Sequence, residues 1–495
     1  MIIFSFLVSL ALFTVIGVLS YFKNKHNTSD YLLADQSVKP WLVALSGVAT
    51  NNSGYMFIGM IGYTYAVGLS SIWLMIGWVA GDFLSSLYIH KKLRIKTEKH
   101  KALSYPEIIS SWNGNNFKLL QKIGAIISII FLGIYAAAQL KAGSKGLFVL
   151  FGWHESVGAV IGAIIVLLYC FAGGIRASIW TDAAQSMVMI VGMFLLIYFA
   201  INNTGGFESF YTQLNEVSPS YMSIIPDKSY FSSILFIMGW VFAGVGVIGQ
   251  PHIMIRFMAM NKPNDLKKVR FFYYGWYILF YGLTISVGLA AKLILSQQEI
   301  TDVELALPIL AQKILPDILI GVVIAGLFAA TMSTADSQIL SCTASLSRDM
   351  GFKKRMTYFK TKLITVGITL FALFVALFGN ENVFELVLIS WSALASSFAP
   401  LLILLTLNKR PSETQSIIIM IVGLLTMLIW RYLGLSSFIY EAMPGILSGL
   451  IMYFVLIKLN APMKEARLSI LNNFFMFVLW FPYYSTDSVV FVDHL

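Results

Sequence analysis

The residues with the most chemical potential lie in an apolar stretch, Ala329-Ala330-Thr331-Met332-Ser333-Thr334-Ala335-Asp336-Ser337-Gln338. At the helical period, Ser333 and Ser337 share one face, with Thr334 beside them and Asp336 between. Hard cations such as sodium take oxygen ligands, so hydroxyls and freed carbonyls in this pattern can replace a hydration shell. Serine and threonine can also bond back to the carbonyls of their own helix. Ionisable residues at membrane depth are costly and usually serve a pathway or a partner, and Asp336 is the clearest of them. Asp182, in Ile179-Trp180-Thr181-Asp182, opens another apolar run, where it serves either a pathway or the dipole of a helix N-terminus. Asp82, two turns before Lys91, is expected near the inner interface. Lys141, inside an apolar segment, is expected to snorkel outward rather than touch a solute.

A cation needs free backbone as well as hydroxyls. One apolar segment carries Thr50-Asn51-Asn52-Ser53-Gly54 at its midpoint, a run of poor helix formers, and another carries Gly244, Gly246, Gly249, Gln250 and Pro251. Breaks of this kind free backbone groups that lipid cannot satisfy, so they are tolerated where they line a cavity. Close helix packing is the other use of the glycines. Two breaks at corresponding places predict two five-helix units, one starting inside and one outside, with a site at the midplane.

Those elements require a membrane. Of 495 residues, 58% are hydrophobic and 12% charged, and mean hydropathy is +0.78, as suits a chain facing lipid. With about 20 apolar residues needed per crossing, the spans fall near 2-22, 41-66, 69-90, 119-149, 155-173, 179-203, 230-258, 271-295, 316-347, 360-379, 383-407, 414-433 and 438-457. The expected fold is an all-α integral membrane protein of about thirteen transmembrane helices, a five-plus-five inverted repeat with two broken core helices. It divides into an extra N-terminal helix and loop (1-40), a first repeat (41-203), an outer loop (204-229), a second repeat (230-407), two peripheral helices (408-457) and a tail (458-495).

The net charge of +10 sits between the apolar runs, in His90-Lys91-Lys92-Leu93-Arg94-Ile95-Lys96 and Lys353-Lys354-Arg355, which reads as membrane orientation rather than a nucleic-acid face. With the N-terminus outside and the C-terminus cytoplasmic, the positive-inside rule holds at every turn: only Lys145, Lys228, Lys292 and Lys313 stand near the outer loops. The expected location is the inner (plasma) membrane. Met1-Ile2-Ile3 lacks a basic lead, so the first span is expected to stay rather than be cleaved as a signal. The apolar stretch 468-483 fits an interfacial segment, a further span or a partner contact. Cys170 and Cys342 are expected as buried free thiols.

The chain resembles the sodium:solute symporter family, most of all its sodium/proline branch, over roughly residues 28 to 457. The resemblance rests on Asp30-Tyr31-Leu32-Leu33, Ala44-Leu45-Ser46 leading to Ser53-Gly54, Trp180-Thr181-Asp182 with Gln185, Gly249-Gln250-Pro251-His252-Ile253 with Arg256-Phe257-Met258, and Met332-Ser333-Thr334. It implies a shared sodium site made by the carbonyls of Ala49, Asn52 and Ala330 with the hydroxyls of Ser333 and Thr334. A second cation site known in the sialic-acid branch maps to Asp182, Ser333, Asp336 and Ser337; an aspartate replaces one hydroxyl there, so a proton is an alternative ligand. Asn51, Ser53, Gly54, Tyr55, Gln139, Ala243, Val247 and Gln250 are the expected solute-binding positions. Proline symporters have Asp where this chain has Asn51, Trp where it has Tyr55, and aromatic residues where it has Ala243 and Val247. A pocket without two rings and a carboxylate should be larger and differently charged.

The resulting expectation is secondary active import of a small amino-acid-like or carboxylate solute with sodium, by alternating access. The expected partners are the solute, sodium and the lipid bilayer, with no nucleic acid and no cofactor beyond the coupling ion. A sensory membrane module working with a separate signalling partner, a proton-coupled transporter of the same fold and a passive channel are the rivals. A kinase segment would favour the sensor, and none is expected before Leu495. No nucleophile-base pair, metal cluster or phosphate loop suggests an enzyme.

Overall fold

The computed structural model describes the chain except residues 227–228, 297, 301, 352–355, 380–382 and 460–495. The stretch 468-483 and the Lys353-Lys354-Arg355 cluster therefore lie outside the described residues. Because hydrocarbon offers no hydrogen bonds, an apolar chain must satisfy its backbone internally, and the described residues contain helices but no strand, only an isolated parallel bridge between Val38 and Met260.

The first half holds α1 (Ile2–Leu19), α2 (Thr28–Leu33), α3 (Pro40–Phe57), α4 (Gly59–Val67), α5 (Ile72–His100), α6 (Tyr105–Ser111), α7 (Lys118–Phe151), α8 (Glu155–Asn203) and α9 (Phe207–Val217). The second holds α10 (Tyr230–Val245), α11 (Pro251–Met258), α12 (Leu266–Ile294), α13 (Ala306–Ile314), α14 (Asp317–Asp349), α15 (Tyr358–Phe378), α16 (Val383–Thr406), α17 (Glu413–Tyr432) and α18 (Ala442–Leu459).

Among the described residues, ten helical stretches are long and apolar enough to cross a membrane, so length and apolarity do not by themselves establish the expected thirteen. Part of the difference has a simple origin. The segments 155-173 and 179-203 join in α8, whose 49 residues at about 1.5 Å each exceed two bilayer cores of roughly 30 Å. The loop expected at 174-178 is instead a bend at Gly174, whose φ is 57°. A Cβ there would also lie 2.3 Å from the Tyr31 carbonyl oxygen, so both backbone and space require glycine. Likewise, 41-66 is divided between α3 and α4. Cys170 and Cys342 are buried and free.

α14 lies in the interior of the bundle: 83% of its most apolar stretch is buried, as in α16, against 28% for α1. It packs on α7, α8, α3 and α1. Small residues permit close approach elsewhere: at Gly81 a Cβ would sit 2.0 Å from the Val241 carbonyl, and at Gly244 one would sit 2.1 Å from the Trp78 carbonyl. These two glycines bring α5 against α10 at the depth of the second helix break.

Candidate cation and solute site

Ser53 interrupts α3 with φ 48° and ψ −178°. The turn stays hydrogen-bonded because the Ser53 hydroxyl accepts from the Tyr55 N–H at 3.1 Å and Gln139 Oε1 accepts from the Gly54 N–H at 2.8 Å. The interruption also leaves carbonyls upstream free for other partners. Ser333 Oγ donates to the Ala49 carbonyl at 3.4 Å and Thr334 Oγ1 to the Thr50 carbonyl at 3.1 Å. The same hydroxyls reach the Ala330 carbonyl at 3.0 and 3.2 Å. The two uses open to these hydroxyls, bonding back along the helix and facing a broken neighbour, therefore coexist. Ala49, Ala330, Ser333 and Thr334 are brought together as oxygen donors of the kind that suit sodium. Asn52 is buried beside them, and neither amide atom of its side chain has a hydrogen-bond partner among the described residues.

Next to this cluster, Arg256 of α11 stands between two carboxylates. Its Nη2 lies 3.3 Å from Asp182 Oδ2 and 3.7 Å from Asp336 Oδ1, with all three side chains fully buried. It donates to Ser178 Oγ at 2.6 Å and to Ser337 Oγ, and its Nε donates to Ser46 Oγ at 3.3 Å. Ser46 and Ser178 in turn donate to Asp182 at 2.6 Å and Asp336 at 2.8 Å. Asp182, Asp336 and Ser337 are thus assembled with Ser333 nearby, but around a fixed guanidinium. Asp182 does not open a helix: it lies two turns beyond the Gly174 bend, which removes the dipole role. Arg256 was visible in the sequence only as part of a motif, since nothing local shows that α11 aims it at α8 and α14.

The positions expected to bind the solute are all buried. Asn51 Nδ2 donates to the Tyr273 hydroxyl at 2.7 Å. Gln250 Nε2 donates to the Trp391 carbonyl at 2.9 Å, and Trp391 Nε1 to the Ala243 carbonyl at 3.1 Å. Aromatic bulk absent at Ala243 and Val247 is therefore supplied from α16 and α5: Trp391 and Trp78 have ring centroids 4.7 Å apart, and Trp78 lies 5.8 Å from Tyr55. A Cβ on Gly54 would come 2.7 Å from Thr331 Cγ2, so only glycine lets α3 meet α14 here. Two open grooves near Trp41 and Leu45 lie on the outside of the bundle and contain none of these residues.

Beside Tyr55, a network joins α7, the 302–305 segment and the start of α16. Lys145 of α7 pairs with Asp302 at 2.8 Å and with Glu304, and Glu304 Oε1 accepts from the Phe384 N–H at 3.0 Å. The Phe384 ring stacks on Tyr55 at 5.4 Å and Tyr63 at 6.5 Å. In the sequence Lys145 reads only as an outer-loop charge, because Asp302 and Glu304 are more than 150 residues away. Lys141 donates to the Gly379 carbonyl at 3.1 Å near the end of α15, consistent with an outward reach. Asp82 is fully buried, with Gly244 of α10 and Tyr273 and Tyr274 of α12 around it.

This architecture is shared with solved transporters. The substrate-bound outward-open state of a Na+-coupled sialic acid symporter superposes with a TM-score of 0.79 at 18% identity, covering 94% of this chain and 99% of that one. Mhp1, a nucleobase-cation-symport-1 family transporter in a closed conformation, gives 0.58 at 15% identity, covering 90% and 98%. The fold is an all-α membrane transporter with a five-plus-five inverted repeat and two broken core helices. The profile of the sodium:solute symporter family matches residues 31–423, and the chain belongs to that family. It is 30% identical over 459 residues to the high-affinity proline transporter PutP of Bacillus subtilis strain 168, spanning 90% of this chain and 96% of that protein. It is 28% identical over 466 residues to the sodium/proline symporter of Staphylococcus aureus strain USA300, spanning 90% of each. The protein is a multi-pass, sodium-coupled solute symporter and not an enzyme.

Proposed function

We propose that the chain imports a small amino-acid-like or carboxylate solute together with sodium by alternating access. In this reading sodium sits among the carbonyls of Ala49, Asn52 and Ala330 and the hydroxyls of Ser333 and Thr334. The observation that carries the proposal is the facing of the broken α3 carbonyls by the two hydroxyls of α14, because it ties the cation to the helix whose break borders the solute. Asn51, Ser53, Gly54, Tyr55, Gln139, Ala243, Val247 and Gln250 line the solute space, with Trp78 and Trp391 as added walls. Arg256 provides the fixed positive charge between Asp182 and Asp336, so a second cation at Asp182, Asp336 and Ser337 would bind only after the guanidinium moves away. The membrane is the plasma membrane, with the N-terminus outside, the C-terminus cytoplasmic and thirteen passes, of which α8 supplies two. The domain divisions at 40, 203, 229, 407 and 457 follow from that topology.

The relatives' solute makes L-proline the first probe, followed by other amino acids and small carboxylates. Proteoliposomes should accumulate at least one of these when sodium is higher outside, and should stop when the gradient is collapsed. Uptake that ignores the sodium gradient for every transported solute contradicts the proposal.

A further inference from the structure

Asp82 has no role in the site described above, yet it is a fully buried carboxylate in a membrane helix. Neither of its oxygens has a hydrogen-bond partner of ordinary geometry among the described residues, and the same is true of the neighbouring Tyr274 hydroxyl. The titratable groups facing it are Tyr273, Tyr274 and Tyr277, all on α12. From α10 it meets Gly244, beyond which the chain leaves the α-helix at Gly246–Gly249. The half-helix end there presents the negative pole of its dipole, which compounds the cost of an unpaired carboxylate. The nearby basic groups are committed elsewhere. Arg270 donates to the Ser86 carbonyl at 2.6 Å, His90 packs against Phe257, and Arg256 and His252 of α11 belong to the Asp182 side.

Asp82 is also connected to the first break. Tyr273, which stands against Asp82, accepts from Asn51 of the broken α3, and Trp78, one turn before Asp82, packs on Tyr55. On the other side, Tyr274 lies between Asp82 and Ser86, toward the basic end of α5. A protonatable acid at a half-helix end, one tyrosine away from the broken α3, has the elements of an ion-coupling group.

We propose that Asp82 is a proton-binding site and that a proton taken up there on one side of the membrane and released on the other accompanies the transport cycle. The carboxylate oxygen accepts the proton from water on the side to which the pathway is open. One O–H bond of a hydronium ion breaks as the carboxyl O–H forms, and on the opposite side the carboxyl O–H breaks as the proton passes to water and re-forms hydronium. The inference rests on the alternating access proposed above, but its first test needs no solute.

Infrared difference spectroscopy of the full-length protein in liposomes, titrated with acid and base at constant sodium, should show a protonated-carboxyl C=O band that disappears as pH rises. Asp82→Asn should lack that band, Asp82→Glu should restore it at a shifted position, and Asp265→Asn, at a charged surface turn, should leave it unchanged. An unchanged band in Asp82→Asn overturns the proposal, as does a band that responds to sodium at fixed pH and not to pH. With L-proline as probe and sodium equal on both sides, an inward proton gradient should stimulate uptake by the wild type, and Asp82→Asn should lose that stimulation. If sodium gradients move no solute at all, the function proposed above fails, while the infrared result still decides whether Asp82 binds a proton.

Discussion

Gly54 shows how one side chain's absence positions the site. The Gly54 N–H is held by Gln139, and a Cβ at this residue would lie 2.7 Å from Thr331 Cγ2 and 3.1 Å from Ala142 Cβ. Gly54→Ala is expected to keep the fold, since overpacking costs about 1–3 kcal/mol, but to hold α3 away from α14 and cut transport at least about tenfold, the equivalent of about 1.4 kcal/mol. A melting curve paired with uptake checks this, and uptake within twofold of wild type at normal expression counts against it. Some of this scale could be read from residue types. Thr50-Asn51-Asn52-Ser53-Gly54 announced a break, and Ser333 with Thr334 announced oxygen donors. Arg256 between Asp182 and Asp336 could not be read, because the three come from α11, α8 and α14. The full burial of Asp82 could not be read for the same reason: it is made by Gly244, Tyr273 and Tyr274 on other helices.

At the scale of elements, glycine spacing and ion pairs determine which helices stay together. The α5–α10 crossing depends on Gly81, where a Cβ would meet the Val241 carbonyl at 2.0 Å, whereas a Cβ on Gly275 meets nothing within 4 Å. Gly81→Val should therefore lower the melting temperature sharply or prevent assembly, and Gly275→Ala should leave it unchanged. Equal effects would contradict the packing argument. The network of Lys145, Glu304 and Phe384 makes a separate prediction. Breaking a buried pair by removing one charge costs about 3–5 kcal/mol, so Glu304→Gln should loosen the 302–305 segment and Phe384 from α7 and α4. Cys170 and Cys342 are buried, which gives a quiet background for a reporter thiol. A Tyr63→Cys reporter should react at least about tenfold faster with a membrane-impermeant reagent when combined with Glu304→Gln; an unchanged rate means the pair does not hold these segments together. The two broken helices were legible from glycine, proline and polar runs, but the bend in α8 was not placed correctly. A five-residue loop at 174-178 was expected where one glycine suffices, since hydropathy reports apolar runs and not the φ of a single residue.

For the whole molecule, apolar composition and loop charge already implied a helical membrane protein, and the family follows from the match over residues 31–423. The number of passes was less legible, because broken and bent helices blur the span boundaries. A ligand that binds only the folded state stabilises it by about 2.7 kcal/mol at a hundred times its dissociation constant. Sodium chloride should therefore raise the melting temperature of the purified protein, and potassium chloride at equal ionic strength should not; an equal rise with both salts would reveal a general salt effect. The most direct test of the cation assignment is equilibrium binding of radioactive sodium to the purified protein. A hydrogen-bonding group lost from a charged partner is worth about 1.5–3 kcal/mol, so Ser333→Ala and Thr334→Ala should each weaken sodium binding at least about tenfold. Wild-type sodium affinity in both variants would place the coupling ion somewhere other than the break in α3.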